Sequence, residues 1–135
     1  NVGSYTALYC SKNGAKIVAV GEWDKEIGTY ALYNEQGLDI EKLFDYKAKN
    51  STIVNFPDAR RISLDEFWTL DNIDILIPAA LENAIDEDNA PNIKAKIIII
   101  EISNKNFDFI IISLLICIFY LNFYSVVIEL ITSLN

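Results

Sequence analysis

Three short stretches carry residue types that suit a nucleotide. The chain opens Asn1-Val2-Gly3 and runs straight into a helix-forming segment. This matches the last three positions of G-x-G-x-x-G, where free backbone N–H groups at a helix start hold a pyrophosphate. Gly3 would let that helix pack closely on a strand. Glu22 follows the apolar run Lys16–Val20 (KIVAV) and lies 19 residues after Gly3. At that distance a dinucleotide fold places the acid that accepts hydrogen bonds from the adenosine ribose hydroxyls. A carboxylate there repels a 2′-phosphate, which favours NAD over NADP. Pro78-Ala79-Ala80 follows a second apolar run, Asp74–Pro78 (DILIP). Small residues at a strand's carboxyl end leave room for a ligand in the crevice of a parallel sheet. Taken singly, each feature also has an ordinary reading: a turn glycine, a solvated acid, a tight strand exit.

The elements that must position these residues alternate between helix and strand. Ser4–Lys12 reads as a helix with Tyr5, Leu8 and Tyr9 on one face and Gly14 as its stop. Lys16–Val20 reads as a buried strand. Asp24–Asn34 reads as a loop or hairpin around Gly28. Asp39–Asn50 places Ile40, Leu43 and Phe44 at i, i+3, i+4 of an amphipathic helix. Ser63 caps a helix over Leu64–Leu70, with Glu66 at the capping-box position. Asp74–Pro78 and Lys96–Ile100 read as further short strands, and Ala84–Ile93 as a loop with a helical turn. Strands separated by helices imply right-handed crossovers and a parallel sheet. The expected class is therefore α/β, a partial Rossmann-like parallel sheet with flanking helices.

Composition excludes other classes. The net charge is −8, and a nucleic-acid surface needs a basic face. There is no histidine, so the usual imidazole base and zinc ligand are missing. Cys10 and Cys117 are too far apart in sequence to suggest a disulfide framework. No metal site is expected. There is no methionine either, so the chain is expected to be a fragment or a processed piece.

Several separated segments together resemble one family. NVGSYTALY, GAKIVAVGEWD, YNEQGLDIEKLFDYKAKN, STIVNFPDARRIS, NIDILIPAALENAI and NAPNIKAKII are similar, in order and spacing, to the nucleotide-binding domain of the Glu/Leu/Phe/Val amino-acid dehydrogenases, glutamate dehydrogenase among them. The resemblance runs from Asn1 to about Ile98. It implies an NAD(P)-dependent oxidative deamination of L-glutamate to 2-oxoglutarate and ammonia, by a homohexameric parent enzyme of the mitochondrial matrix or cytoplasm. It also implies that Asn1 and Val2 lie against the pyrophosphate. Glu22 would bind the adenosine ribose with Trp23 beside it, and Ala79 and Ala80 would line the cofactor cleft. No catalytic residue carries over, because the substrate-binding domain has no counterpart. Lys94 and Lys96 match no catalytic position and read as solvated.

Two departures bear on the site. Family members read Asp-Gly shortly before the Tyr-Asn that corresponds to Tyr33-Asn34. Here Asp24 is followed by KEIGTYAL, which lengthens a loop near the ribose position. After KII, family members continue with an A-E-G-A-N-G-P-T type segment on the nicotinamide side. Here the chain reads IIEISNKNFDF instead.

The composition changes near Ile97. Residues 1–96 hold 11 Ala, 5 Gly, 3 Pro and 2 Arg, whereas residues 97–135 hold none of these. The favoured alphabet beyond Ile97 is that of A/T-rich codons. The expected organisation is a partial dinucleotide-binding domain over 1–98 and a divergent hydrophobic tail over 99–135. Translation through an A/T-rich intron or past a frameshift would give such a tail. Phe109–Ile128 is 20 residues without a charge, which by length is also a membrane-span candidate, helical in form. In that case the chain would be a membrane-anchored nucleotide-binding or interaction module. A buried core segment is the third reading.

Overall fold

The structure is a computed structural model that describes residues 2–79, 84–99 and 125–129. In chain order the elements are helix α1 (Val2–Lys12), strands β1 (Lys16–Asp24) and β2 (Gly28–Tyr33), helix α2 (Ile40–Asn50), strand β3 (Arg60–Ile62), helix α3 (Leu64–Trp68), and strands β4 (Ile75–Pro78), β5 (Ile97–Ile98) and β6 (Ser125–Glu129). A short 3₁₀ turn, Ala90–Asn92, precedes β5. The strands form one sheet in the order β3-β2-β1-β6-β4-β5.

The parallel-sheet expectation holds for β1, β6, β4 and β5, which pair in parallel. It is corrected for β2 and β3, which pair antiparallel to β1 and to β2 respectively. The reason is loop length. Asp24 pairs with Gly28, so only Lys25, Glu26 and Ile27 join the two strands. A parallel return needs a crossover of a dozen or more residues. Gly28 supplies the positive φ, 77°, that closes such a three-residue loop. The Asp24 carboxylate accepts from the Glu26 N–H at 2.8 Å and tightens the turn. That bond, ahead of any other cause, holds the Asp24 carboxyl below its ordinary range. The extra residues after Asp24 are therefore a hairpin turn. Strand β3 was not expected at all: it is an edge strand of three residues, two of them exposed arginines, and it carries no apolar run to mark it.

The sheet is covered on both faces. One face packs Ile17, Val20, Tyr30, Leu32, Ile75 and Ile77 under Ala7 and Cys10 of α1 and Ile40 and Leu43 of α2. The other packs Val18, Ala19, Ala31 and Leu76 under Phe67 and Trp68 of α3. Burial on both faces is why KIVAV and DILI are continuously apolar rather than alternating. An irregularity between Ile17 and Ala19 in the β1–β6 register turns Val18 and Ala19 to the same face.

Helix caps follow the sequence closely. Asp39 accepts from the Lys42 N–H at 3.0 Å and starts α2. Ser63 accepts from the Glu66 N–H at 3.1 Å and starts α3. The capping box is only half formed, because the Glu66 carboxylate pairs with Arg60 at 2.6 Å instead of turning back. Helix α1 corrects the expected apolar face. Tyr5 and Tyr9 are exposed, and the buried side is Gly3, Thr6, Ala7 and Cys10. Small residues let the helix axis come close to the sheet, and long side chains there would hold it off. Burial pushes the Cys10 thiol up to about 12, so it stays protonated and inert.

The expected helix through residues 109–128 is corrected at its end, where Ser125–Glu129 is the strand β6. Serine followed by Val126, Val127 and Ile128 is β-branched and apolar, which suits an extended chain between two strands. Residues 109–124, and with them most of the membrane-span candidate and Cys117, lie outside the described residues. Among the described residues no helix is long and apolar enough to cross a membrane.

Candidate functional site

The site builds from one sheet edge. Strands β1, β6, β4 and β5 run in the same direction, so their carboxyl ends share an edge. Register places Gly21 and Pro78 in one row, each opposite Glu129. Glu22 follows Gly21 in that edge and Ala79 follows Pro78. The short turn Asn13–Ala15 sends β1 back along α1, against which it packs. The start of α1 therefore lies at the same edge as the end of β1. Two of the three sequence features are thus joined by topology to the third.

Each expected residue can be placed. Asn1 and Ala80 lie outside the described residues, and only the backbone of Val2 is described. Val2 begins α1, and Gly3 is buried in its first turn. No acidic side chain stands in that turn, so nothing on α1 neutralises its positive end. Ala79 is half-buried against the core just past β4. Trp23 is half-buried beside Glu22. The described edge thus brings together a helix start without acidic residues and a small half-buried residue.

Glu22 is different from its sequence expectation. It lies inside β1 rather than after it, and only 4% of its side chain is exposed. One carboxylate oxygen accepts from Lys47 Nζ of α2 at 2.5 Å, and the other accepts from the Trp23 N–H at 3.2 Å. Lys47 stands in the last turn of α2, where a cation complements the helix dipole. A carboxylate offers about four acceptor sites, so an ion pair and a ribose hydroxyl are chemically compatible on one group. Lys47 is the residue sequence reasoning missed. Its signal was its place at a helix end, which does not reveal a partner 25 residues away.

Tyr30 faces Glu22 across the β1–β2 ladder. It is buried, and among the described residues its hydroxyl finds no hydrogen bond of good geometry, with the Thr52 side chain beside it. Burial, and next the charge of Glu22, push the phenol up, so it stays neutral. An unsatisfied buried hydroxyl costs free energy that a phenyl ring of the same shape does not. Tyr30→Phe is therefore expected to be neutral or stabilising by up to about 1 kcal/mol in urea unfolding. A loss of stability would show that the hydroxyl has a partner in solution.

A cleft of about 450 Å³ opens near the amino ends of β1 and β4, lined by Lys16, Tyr33, Arg60 and Glu66 among others. Arg60 lies 5.3 Å above the Tyr33 ring, and its charge is taken up by Glu66. Lys94 and Lys96, read as solvated, are half-exposed and paired with Asp71 at 2.7 Å and Asp74 at 2.6 Å. They pin the segment before β5 to the loop before β4. Among the described residues no cluster of His, Cys, Asp or Glu could hold a metal ion.

Comparison with known proteins gives the family. The family model described as Glutamate/Leucine/Phenylalanine/Valine dehydrogenase matches residues 1–108. An NAD-specific glutamate dehydrogenase of Clostridioides difficile is 54% identical over 98 residues, which is 73% of this chain and 23% of that protein. An NAD-specific glutamate dehydrogenase of Peptoniphilus asaccharolyticus is 47% identical over the same length and shares. An NADP-specific glutamate dehydrogenase of Saccharolobus shibatae is 39% identical over 99 residues, 73% of this chain and 22% of that protein. The chain thus spans about a quarter of the length of these relatives. The matched region contains α1 through β5, with Gly3, Glu22 and Ala79, and this chain belongs to the Glu/Leu/Phe/Val dehydrogenase family.

Proposed function

We propose that residues 1–98 form the greater part of the dinucleotide-binding domain of an NAD-dependent glutamate dehydrogenase. The observation that carries this reading is the meeting of α1's acid-free start, the Glu22 carboxylate and Ala79 at one sheet edge. In this reading the α1 N–H groups hold the pyrophosphate, with Asn1 and Val2 against it. Glu22 accepts from the adenosine ribose, beside Trp23, and Ala79 and Ala80 wall the cleft. The parent reaction is the oxidative deamination of L-glutamate to 2-oxoglutarate and ammonia. NAD, when bound, supplies the ring that accepts the hydride. The parent is a homohexamer of the cytoplasm or the mitochondrial matrix.

The chain by itself binds but does not turn over. Hydride transfer needs cofactor and substrate held at near-attack distance. The 98 matched residues cover 23% of the Clostridioides difficile enzyme, and the resemblance carries no catalytic residue onto them. The preference for NAD follows from charge: the 2′-phosphate of NADP would approach the Glu22 carboxylate, whose charge Lys47 offsets only in part.

The test is a titration of the full chain with NAD and with NADP, followed by calorimetry. NAD is expected to bind at least about tenfold more tightly, a difference of about 1.4 kcal/mol. Glu22→Ala should narrow the two affinities to within about threefold by weakening NAD and sparing NADP. Equal affinities in the unaltered chain, or no binding of either, would overturn the proposal.

A further inference from the structure

We infer that Asn13-Gly14, in the turn between α1 and β1, is a site of spontaneous deamidation gated by the last turn of α1. The chain holds no other Asn-Gly pair. In this reaction the backbone nitrogen of Gly14 attacks Cγ of Asn13 and loses its proton. The Cγ–Nδ2 bond breaks, ammonia leaves, and a succinimide ring closes. Water then opens the ring at either carbonyl and gives aspartate or isoaspartate. Asparagine is among the thermolabile residues, and glycine obstructs ring closure least because it has no Cβ. Gly14 is exposed, and apart from its chain neighbours no described atom lies within 4 Å of where its Cβ would stand. The ring therefore has room to form.

The folded geometry holds both reacting groups back. The Gly14 N–H donates to the Ser11 carbonyl at 3.1 Å. The Asn13 carboxamide turns back along the helix and donates to the Tyr9 carbonyl at 2.8 Å. Ring closure needs both bonds open together. Both carbonyls belong to the end of α1, so the reactive state is α1 with its last turn frayed. Such an end opens at far lower cost than the whole domain.

The products do not close again. Aspartate at position 13 loses the donor to Tyr9 and sets a negative charge at a helix end that favours cations. Isoaspartate adds a methylene to the main chain. The turn spans only Asn13–Ala15 and must seat Ala15, whose N–H donates to the Cys10 carbonyl at 3.0 Å. Ala15 and Cys10 are both buried. A lengthened main chain cannot keep that bond and the start of β1 at Lys16 together. The pair is thus an irreversible age mark on the joint between helix and strand. Neither step uses a cofactor, so the inference is independent of the dinucleotide reading.

The end of α2 supplies a matched comparison. The Asn50 carboxamide donates to the Tyr46 carbonyl at 2.9 Å, and the Ser51 N–H donates to Lys47 at 2.8 Å. The follower there carries a side chain, so Asn50-Ser51 is the slower site.

The test ages the full chain in mildly alkaline buffer, with and without urea, and reads its peptides by mass spectrometry. In urea, Asn13 is expected to show the mass gain of an NH₂-to-OH exchange roughly tenfold faster than Asn50. Without urea the Asn13 rate should fall at least about tenfold and stay measurable. An endoprotease that cuts before aspartate but not before isoaspartate tells the two products apart. Asn13→Gln, whose longer side chain disfavours ring closure, should remove the gain from that peptide. Asn13→Asp should speed hydrogen exchange of the Ala15 amide at least about threefold. Equal rates for Asn13 and Asn50 in urea, an Asn13 rate unchanged by folding, or no gain at all in the folded chain would each overturn the inference. So would a gain that persists in Asn13→Gln, or unaltered Ala15 exchange in Asn13→Asp.

Discussion

Lys47→Met should destabilise the protein by about 3 kcal/mol at neutral pH, read as a lower urea midpoint with an unchanged slope. Glu22 is 4% exposed at the side chain, and Lys47 lies against it at 2.5 Å. Removing one partner of a sheltered ion pair leaves a charge with its hydration lost and its counter-charge gone. The figure sits at the low end for buried pairs because Lys47 is itself 36% exposed. Methionine keeps the length of the lysine stem, so packing against α2 changes little. The companion change tells the charge effect from a packing effect. Glu22→Gln in the Lys47→Met background removes the stranded charge and should recover at least about 1 kcal/mol. If Lys47→Met unfolds at the same urea concentration as the unaltered chain, the pair is solvated and Glu22 is an ordinary surface acid. The same variant bears on the site: a carboxylate freed from Lys47 is a stronger acceptor for a ribose hydroxyl, so NAD affinity should not fall.

Phe67→Ala should cost more, about 3–5 kcal/mol. Phe67 is 2% exposed and sits on the sheet face formed by Val18, Ala19, Ala31 and Leu76. Its ring meets Trp68 edge to face, with centroids 5.1 Å apart and planes at 79°. Helix α3 spans only Leu64–Trp68, and too short a helix has little stability of its own. Its hold on the sheet is the burial of these two aromatic side chains. Losing Phe67 removes the transfer free energy of the ring and leaves a hole that the backbone of a sheet cannot collapse to fill. Against a total stability of about 5–15 kcal/mol, such a loss is a large fraction. The contrast is Tyr5→Ala, on the exposed face of α1, expected within about 0.5 kcal/mol of the unaltered chain. Equal midpoints for the Phe67 and Tyr5 variants would mean that α3 does not anchor this face.

How much was readable beforehand depended on the range of the interaction. The N-caps Asp39 and Ser63 were legible because the capping oxygen and its N–H partner are three residues apart. The apolar face of α2 was legible because Ile40 and Leu43 follow helix periodicity. The face of α1 was misread because aromatic residues at helix spacing look like a core stripe. The real buried stripe is small, Gly3, Ala7 and Cys10, and its meaning depends on how near the sheet lies. Glu22 was singled out by its spacing from Gly3, yet its burial and its bond to Lys47 were not legible. The Lys94–Asp71 and Lys96–Asp74 pairs escaped for the same reason, since each spans more than twenty residues.

The acid-free helix start, the Glu22 spacing and the small residues after DILIP are properties of the chain alone. They are local, set by neighbours in sequence, so they survive without knowledge of the fold. The mixed sheet was decided by tertiary structure. Three residues between Asp24 and Gly28 join β1 and β2 as an antiparallel hairpin, one of the two readings the sequence left open there, and this makes the sheet mixed rather than parallel throughout. The ion pair that shelters Glu22 and the insertion of Ser125–Glu129 between β1 and β4 were also decided there. Both join residues far apart in the chain, and only the closing of the sheet brings those partners within reach.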